Sequence, residues 1–275
     1  MVRKLYKHEF WALFKWIIPL NLFCLVLAII SRINLEFSDS EATNIAAAIM
    51  AFVFMLSVIA LVAISFVIVI VRFYKNLLSH EGYLTFTVPV TPVTHIVCKL
   101  ICGTAVLLMS SLVLGLSFGI IASEGISSSD LSEVFEAFEY IFGFDFSVIP
   151  LYRVVVLFVS YGILSVFSVM HGLLFIYAAM ALGQRSRRNR VSWAVGWYFI
   201  ISTIRSIITN VINGLLTYSG EHAYVEPVYD AGEMAMMAVD SLQITATFGI
   251  IENVIWGSIF FGITYYILTH KLNLE

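Results

Sequence analysis

The sequence predicts an all-α, polytopic membrane protein with six transmembrane helices, and its composition gives the first reason. Of its 275 residues 60% are hydrophobic and only 12% are charged, whereas soluble domains are close to half apolar and a quarter charged. The second reason is that six apolar stretches are long enough to cross the roughly 30 Å hydrocarbon core, which takes about 20 helical residues. We place them, within a single transmembrane domain over 1–275, near 16–35, 45–72, 95–121, 151–182, 192–217 and 244–268.

The third observation is that the connections between these spans alternate in charge. Lysine and arginine concentrate at the two termini, in the 72–99 connection and in the 183–191 connection, while the other connections are acidic. Cytoplasmic loops carry the excess of Lys and Arg in membrane proteins. We therefore expect a multi-pass protein of the cell membrane with both termini cytoplasmic and with connections 122–150 and 218–243 outside.

Residues 2–17 form the first distinct element, which we expect to be a basic amphipathic helix. Its apolar side carries Leu5, Tyr6, Phe10, Leu13, Trp16 and Ile17, and its other side carries Lys4, Lys7, His8 and Lys15. Such a helix is expected to lie in the cytoplasmic headgroup layer, in contact with membrane lipid, before Pro19 starts or kinks the first span. The alternative is a first membrane helix that simply extends through these residues.

The 72–99 connection is the part of the chain that most suggests contact with something outside the membrane. A helix runs past Arg72 and Lys75 until Gly82 permits a sharp change of direction. A short aromatic piece follows, and Thr91 before Pro92 reads as the N-cap and first-turn proline of the third span. These features predict a small rigid segment between two membrane helices.

Small residues in the third and fourth spans predict close packing between helices. They recur at Ser111, Gly115 and Gly119, and again at Ser165, Ser168 and Gly172. Such ridges let a neighbouring helix approach closely, either within the chain or in a dimer. At the start of the third span His95, Cys98 and Cys102 share a face, but a fourth ligand is missing and we expect no metal site there.

The fifth span is the most polar of the six. A stripe at helical spacing contains Arg205, Asn210 and Asn213, which must face protein or water because charged and amide groups are costly in lipid. Glu252 in the sixth span lies at about the same depth as Arg205, counted at about 1.5 Å per residue from the helix ends. We predict an Arg205–Glu252 ion pair; the alternative is that both side chains line a substrate pathway.

The 72–99 connection resembles the cytoplasmic connection of type-2 ATP-binding-cassette (ABC) permeases of Gram-positive bacteria. The resemblance lies in Arg72-Phe-Tyr-Lys-Asn-Leu, in Glu81-Gly-Tyr-Leu-Thr-Phe-Thr-Val-Pro-Val and in Lys99-Leu100. The ending Ile267-Leu-Thr-His-Lys-Leu-Asn-Leu-Glu275 is similar to the close of the same group.

This resemblance implies a half-transporter that works in a dimer with a second identical or sibling permease. It also implies that segment 78–86 is a coupling helix seated in a groove of a separate ATPase subunit. The contact residues carried over are Glu81, Gly82, Tyr83, Leu84 and Phe86. ATP and magnesium would be bound by that partner, so we expect no cofactor in this chain.

Several function classes find no support in the sequence. No phosphate-binding Gly-x-x-x-x-Gly-Lys-Ser/Thr loop occurs, and no catalytic set is evident at membrane depth, so we expect no enzyme activity in this chain. The arginines at 185–190 are better explained by membrane topology than by nucleic-acid binding. Besides an exporter of a peptide, drug or lipid-like substrate, a non-transporting anchor, a sensor or a peptide-immunity protein stays open.

Overall fold

A computed structural model describes residues 2–36, 41–79, 90–122, 149–186, 189–220 and 231–270. Within these ranges the chain forms six long helices and no strand: α1 (Val2–Glu36), α2 (Glu41–Phe73), α3 (Pro92–Ala122), α4 (Leu151–Gly183), α5 (Arg190–Gly220) and α6 (Ala231–His270). All six are long and apolar enough to cross a membrane. The chain is therefore an all-α, multi-pass membrane protein, as the composition predicted.

Helix α1 differs from the expected pair of elements. Residues 2–17, predicted as a separate interfacial helix, are the first half of one helix that continues through Pro19 to Glu36. The structure thus has the extended first helix that was the alternative. The physical reason is that Leu13 and Ile17 are buried against other helices, so that this half of α1 is stabilised by packing.

The helices pack as two compact units, although the sequence indicated no boundary within 1–275. Helices α1 to α3 belong to the first unit and α4 to α6 to the second.

In the first unit α1 packs against both α2 and α3. It runs antiparallel to α2, because the Ser31 hydroxyl donates a hydrogen bond to the Met50 carbonyl (3.3 Å) near one end and Glu9 meets Arg72 near the other. A buried apolar cluster fills the space between α1 and α2 and consists of Cys24, Ala28, Phe54 and Leu61. The beginning of α1, the end of α2 and the beginning of α3 therefore lie at the same end of this unit.

The ends of the 72–99 connection have the predicted local structure. Helix α2 continues past Phe73 into a π-helical turn, Tyr74–Leu78. Helix α3 begins at Pro92, and the Thr91 hydroxyl accepts a hydrogen bond from the Thr94 amide (3.4 Å), as expected of an N-cap. Residues 80–89, which include the predicted coupling contacts, lie outside the described residues.

In the second unit α4 packs against α5 and α6. Helices α4 and α6 run parallel: near their beginnings Arg153 pairs with Asp240 (2.7 Å), and further along Leu174 lies beside Gly257. Helix α6 begins at Ala231, well before the predicted start at 244, so that the second half of the predicted 218–243 connection is helical. The predicted bounds of the second to fifth spans fall within a few residues of the helix ends, whereas the first helix starts well before the predicted 16.

The small-residue ridges are not where the described helices come closest. Among the described residues no atom lies within 4 Å of where a Cβ would stand at Gly115, Gly119 or Gly172. The close approaches occur instead at Gly183 and Gly249. A spacing of small residues shows that a helix is able to accept a neighbour, but the larger apolar side chains decide which face is buried.

Candidate functional site

The predicted coupling residues Glu81, Gly82, Tyr83, Leu84 and Phe86 lie outside the described residues. The segments that hold this connection are described, and both carry a cation. Arg72 is in the last turn of α2 and Lys99 is in the second turn of α3.

Both cations bind one carboxylate, that of Glu9 in α1. The Arg72 guanidinium donates two hydrogen bonds, from Nε to Glu9 Oε1 (2.9 Å) and from Nη2 to Glu9 Oε2 (3.4 Å). The Lys99 ammonium donates a third, to Glu9 Oε1 (2.7 Å). We call these three residues the Glu9 cluster; it contains two cations and one anion.

The Glu9 cluster is shielded from solvent. Glu9 and Lys99 are each only 6% exposed, and the Arg72 side chain is 25% exposed. Bidentate Arg–carboxylate geometry is specific as well as strong, and charges buried at this depth are stable only when they are paired. The cluster therefore fixes α1 to both helices that flank the 72–99 connection.

Glu9 was not among the candidate residues that the sequence indicated. It lies one turn before Leu13 and two turns before Ile17, which are both buried, so it continues the buried stripe of α1. The position of Glu9 on this apolar face could have indicated its role, because a carboxylate on a buried helix face needs a cationic partner. The nearby lysines of the first helix concealed this signal, because they made one more charged residue look ordinary.

Next to the Glu9 cluster lie two cysteines of the helix face at the start of α3 for which we expected no metal site. Cys98 and Cys102 are buried, and the Cys102 thiol lies 3.8 Å from the Tyr6 carbonyl oxygen. These side chains pack at the interface of α1 and α3.

In the second unit the structure places Arg205 of α5 and Glu252 of α6 together, as predicted. Arg205 Nη2 donates to Glu252 Oε1 (3.0 Å), and the Thr209 hydroxyl donates to the same oxygen (3.1 Å). Both side chains are about one-third exposed, at 33% and 34%. Glu252 therefore accepts hydrogen bonds from two successive turns of α5.

This ion pair lines an open polar groove between α5 and α6. The groove has a volume of about 290 Å³, and its other lining residues are Ser202, Ser206, Thr209 and Asn210. The Asn210 amide donates to the Ser206 hydroxyl (3.2 Å), while the side chain of Asn213 lies outside the described residues. From the sequence, an ion pair and a substrate pathway were alternatives for Arg205 and Glu252. In the structure the two side chains form the ion pair and also line an open groove.

His171 of α4 lies among aromatic side chains. Its ring is stacked on Phe175 (centroids 6.4 Å apart) and tilted against Phe260 (5.6 Å). This surrounding is that of a packed structural histidine.

Comparison with known proteins adds no relative: no protein family, no characterised protein and no solved structure matches the chain.

Proposed function

We propose that this chain is the membrane-spanning permease subunit of an ABC exporter in the cell membrane. A separate ATPase subunit would bind and hydrolyse ATP, and two permease chains, identical or siblings, would enclose the pathway of a peptide, drug or lipid-like substrate. The observation that carries the proposal is the Glu9 cluster, which attaches both sides of the 72–99 connection to α1.

A segment that passes the movement of an ATPase to membrane helices must be mounted rigidly. Arg72 and Lys99 stand at the two bases of the connection and share one buried carboxylate. A displacement of the segment would therefore act on α1, α2 and α3 together. An ordinary surface loop has no need for a buried ion-pair cluster, which is stable only with good geometry.

The π-helical turn Tyr74–Leu78 supports the same interpretation. Such turns are rare and occur frequently at functional sites, because the wider turn costs stability relative to an α-helix. The Tyr74–Leu78 turn lies between Arg72 and the predicted coupling residues, where a movement of the ATPase subunit would be transmitted to α2.

The α5–α6 polar groove is the feature that best suits contact with a substrate. Its serine, threonine and asparagine side chains offer both donors and acceptors, and the Arg205–Glu252 pair adds one charge of each sign. Such a lining suits an amphipathic substrate with polar and charged groups. Intramembrane ionisable residues in general mark functional pathways.

The test is to purify the tagged chain in mild detergent from its native cells and to identify its companions by mass spectrometry. A variant with Glu81→Lys and Tyr83→Ala removes the proposed contact. A matched control, Glu226→Lys with Tyr224→Ala, makes the same two changes in the acidic 218–243 connection.

We expect a protein with a phosphate-binding loop to accompany the native chain and the control in a complex with two permease chains, and to be lost from the Glu81/Tyr83 variant. Absence of any ATPase from the native preparation would remove the main support for the proposal. An anchor, sensor or immunity protein would then be the leading hypothesis.

A further inference from the structure

The second unit contains a second groove, whose lining is largely apolar, unlike that of the α5–α6 polar groove. It lies between the end of α4 and the last turns of α6 and has a volume of about 510 Å³. Its walls include Leu182, Ile259 and Ile263, and Arg185 and Tyr266 lie among its lining residues. We call it the α4–α6 groove.

The groove is open because residue 262 is glycine. No described atom lies within 4 Å of the position that a Cβ would take there, so the described residues leave the space of a side chain open. From Ile259 to Ile267 the lining extends along nine residues of helix, whose ends are about 12 Å apart at 1.5 Å per residue. An apolar channel of this length suits part of an acyl chain.

The polar end of the groove is positively charged. Arg185 is exposed, and no carboxylate of the described residues forms an ion pair with it. In the sequence it is followed by Arg187, Arg188 and Arg190. A guanidinium binds a phosphate through two parallel hydrogen bonds, and basic pockets between membrane helices bind anionic headgroups.

We infer that the α4–α6 groove binds an anionic phospholipid, with an acyl chain along Ile259, Gly262 and Ile263 and with its phosphate at Arg185. The groove therefore has an apolar part that suits an acyl chain, and a guanidinium without a carboxylate partner among the described residues that suits a negative headgroup. This inference is independent of the ABC proposal, because it needs neither an ATPase nor a transported substrate.

The experiment measures the melting temperature of the purified chain in detergent with added phosphatidylglycerol or phosphatidylcholine of the same acyl chains. Ligands that bind only the folded state raise its stability, and for the native chain we expect phosphatidylglycerol to raise the melting temperature by about 5 °C more than phosphatidylcholine does. Gly262→Leu should abolish this difference by filling the groove, and Arg185→Gln should abolish it by removing the charge.

Two control variants make the same changes elsewhere. Gly196→Leu adds the same side chain to α5 at another position with no described atom within 4 Å, and Lys75→Gln removes one exposed cation from the turn that follows α2. Both should keep the full difference between the two lipids. Melting temperatures without lipid check that each variant is folded, and native mass spectrometry counts bound phosphatidylglycerol on the Arg185→Gln variant if Gly262→Leu does not fold.

Equal shifts from the two lipids on the native chain would overturn the inference, because ordinary boundary lipid would explain them. A full phosphatidylglycerol effect in Gly262→Leu or in Arg185→Gln, or undiminished bound lipid on Arg185→Gln, would overturn it too. Loss of the effect in both groove variants and its persistence in both controls is the supporting outcome.

Discussion

Glu9 occupies the buried stripe of α1 and accepts hydrogen bonds from Arg72 and Lys99. Glu9→Gln keeps the shape of the side chain but leaves the buried Lys99 and the half-buried Arg72 without their counter-ion. Removal of one partner from a buried ion pair destabilises proteins by about 3–5 kcal/mol. We expect a clear drop in the melting temperature of the purified chain.

The matched control is Asp240→Asn, which neutralises a carboxylate paired with Arg153 at the same 2.7 Å that separates Lys99 from Glu9. The Asp240 side chain is 60% exposed, and exposed pairs contribute little because water already stabilises both charges. Its effect should be much smaller. Equal drops for the two variants would contradict the assignment of a structural role to the Glu9 cluster.

A charge exchange within the cluster separates pairing from a simple loss of packing. Glu9→Lys alone brings three cations together, whereas Glu9→Lys with Lys99→Glu again gives two cations and one carboxylate. The double variant should therefore melt at a higher temperature than Glu9→Lys. A double variant no more stable than the single one would show that the exchanged pair does not form.

The Arg205–Glu252 pair is open to a similar exchange. Arg205→Glu or Glu252→Arg places two like charges where the native atoms are 3.0 Å apart. Since both side chains are one-third exposed, we expect each single reversal to cost about 1–2 kcal/mol, between exposed and buried pairs. The double reversal should recover most of the lost melting temperature, and failure to recover would argue against a pair that stabilises α5 on α6.

At the scale of whole helices, the connection from α4 to α5 depends on a close approach at Gly183. A Cβ there would lie 2.7 Å from the Ala194 backbone nitrogen and 2.7 Å from the Arg190 carbonyl oxygen. These are backbone atoms, so relief requires the helix ends to move apart. The close packing of α4 and α5 at this point therefore requires a residue without a side chain at position 183.

We expect Gly183→Ala to destabilise the second unit by about 1–3 kcal/mol, as overpacking does. The control is Gly162→Ala on the same helix, where nothing lies within 4 Å; this change should be neutral or favourable by about 0.5–1 kcal/mol, because alanine is the better helix former. Thermal unfolding of the two variants in detergent compares them directly. A Gly183→Ala protein as stable as Gly162→Ala would mean that the turn relaxes at no cost.

The helices also show which parts of the fold and site the sequence was able to predict. Six spans followed from hydropathy, because a long apolar helix is stable only in an apolar environment. The Arg205–Glu252 pair followed from the cost of a charge inside such a span, which leaves few possible partners. Both predictions depend only on how apolar each segment is and on an approximate depth in the membrane.

Glu9 and the Gly183 approach required knowledge of which helix faces meet. Glu9 lies in a segment rich in lysine, where a carboxylate near the headgroups would have been unremarkable. Its partners became evident only because α1 continues through Pro19 and packs against α2 and α3. Likewise the Gly115 ridge has the spacing of a packing motif, yet the described neighbours of α3 lie elsewhere.

At the scale of the whole molecule, the distribution of lysine and arginine predicts the orientation in the membrane. The basic groups at the amino terminus, at 72–99, at 183–191 and at Lys271 should stay in the cytoplasm, because positively charged loops resist translocation. The proposed ATPase contact requires this orientation, since ATP is available on that side.

Reporter fusions test the orientation directly. Alkaline phosphatase, which is active only after export, should be active when fused after Glu136 or Glu226 and inactive when fused after Asn189, while a fluorescent protein that folds in the cytoplasm should fluoresce at the carboxyl terminus. Asn189 lies in the arginine-rich connection and Glu226 in the acidic one, so the pair samples both sides of α5. The reverse pattern of reporter activity would mean that the protein has the opposite orientation in the membrane. An ATPase in the cytoplasm would then be unable to reach residues 81–86.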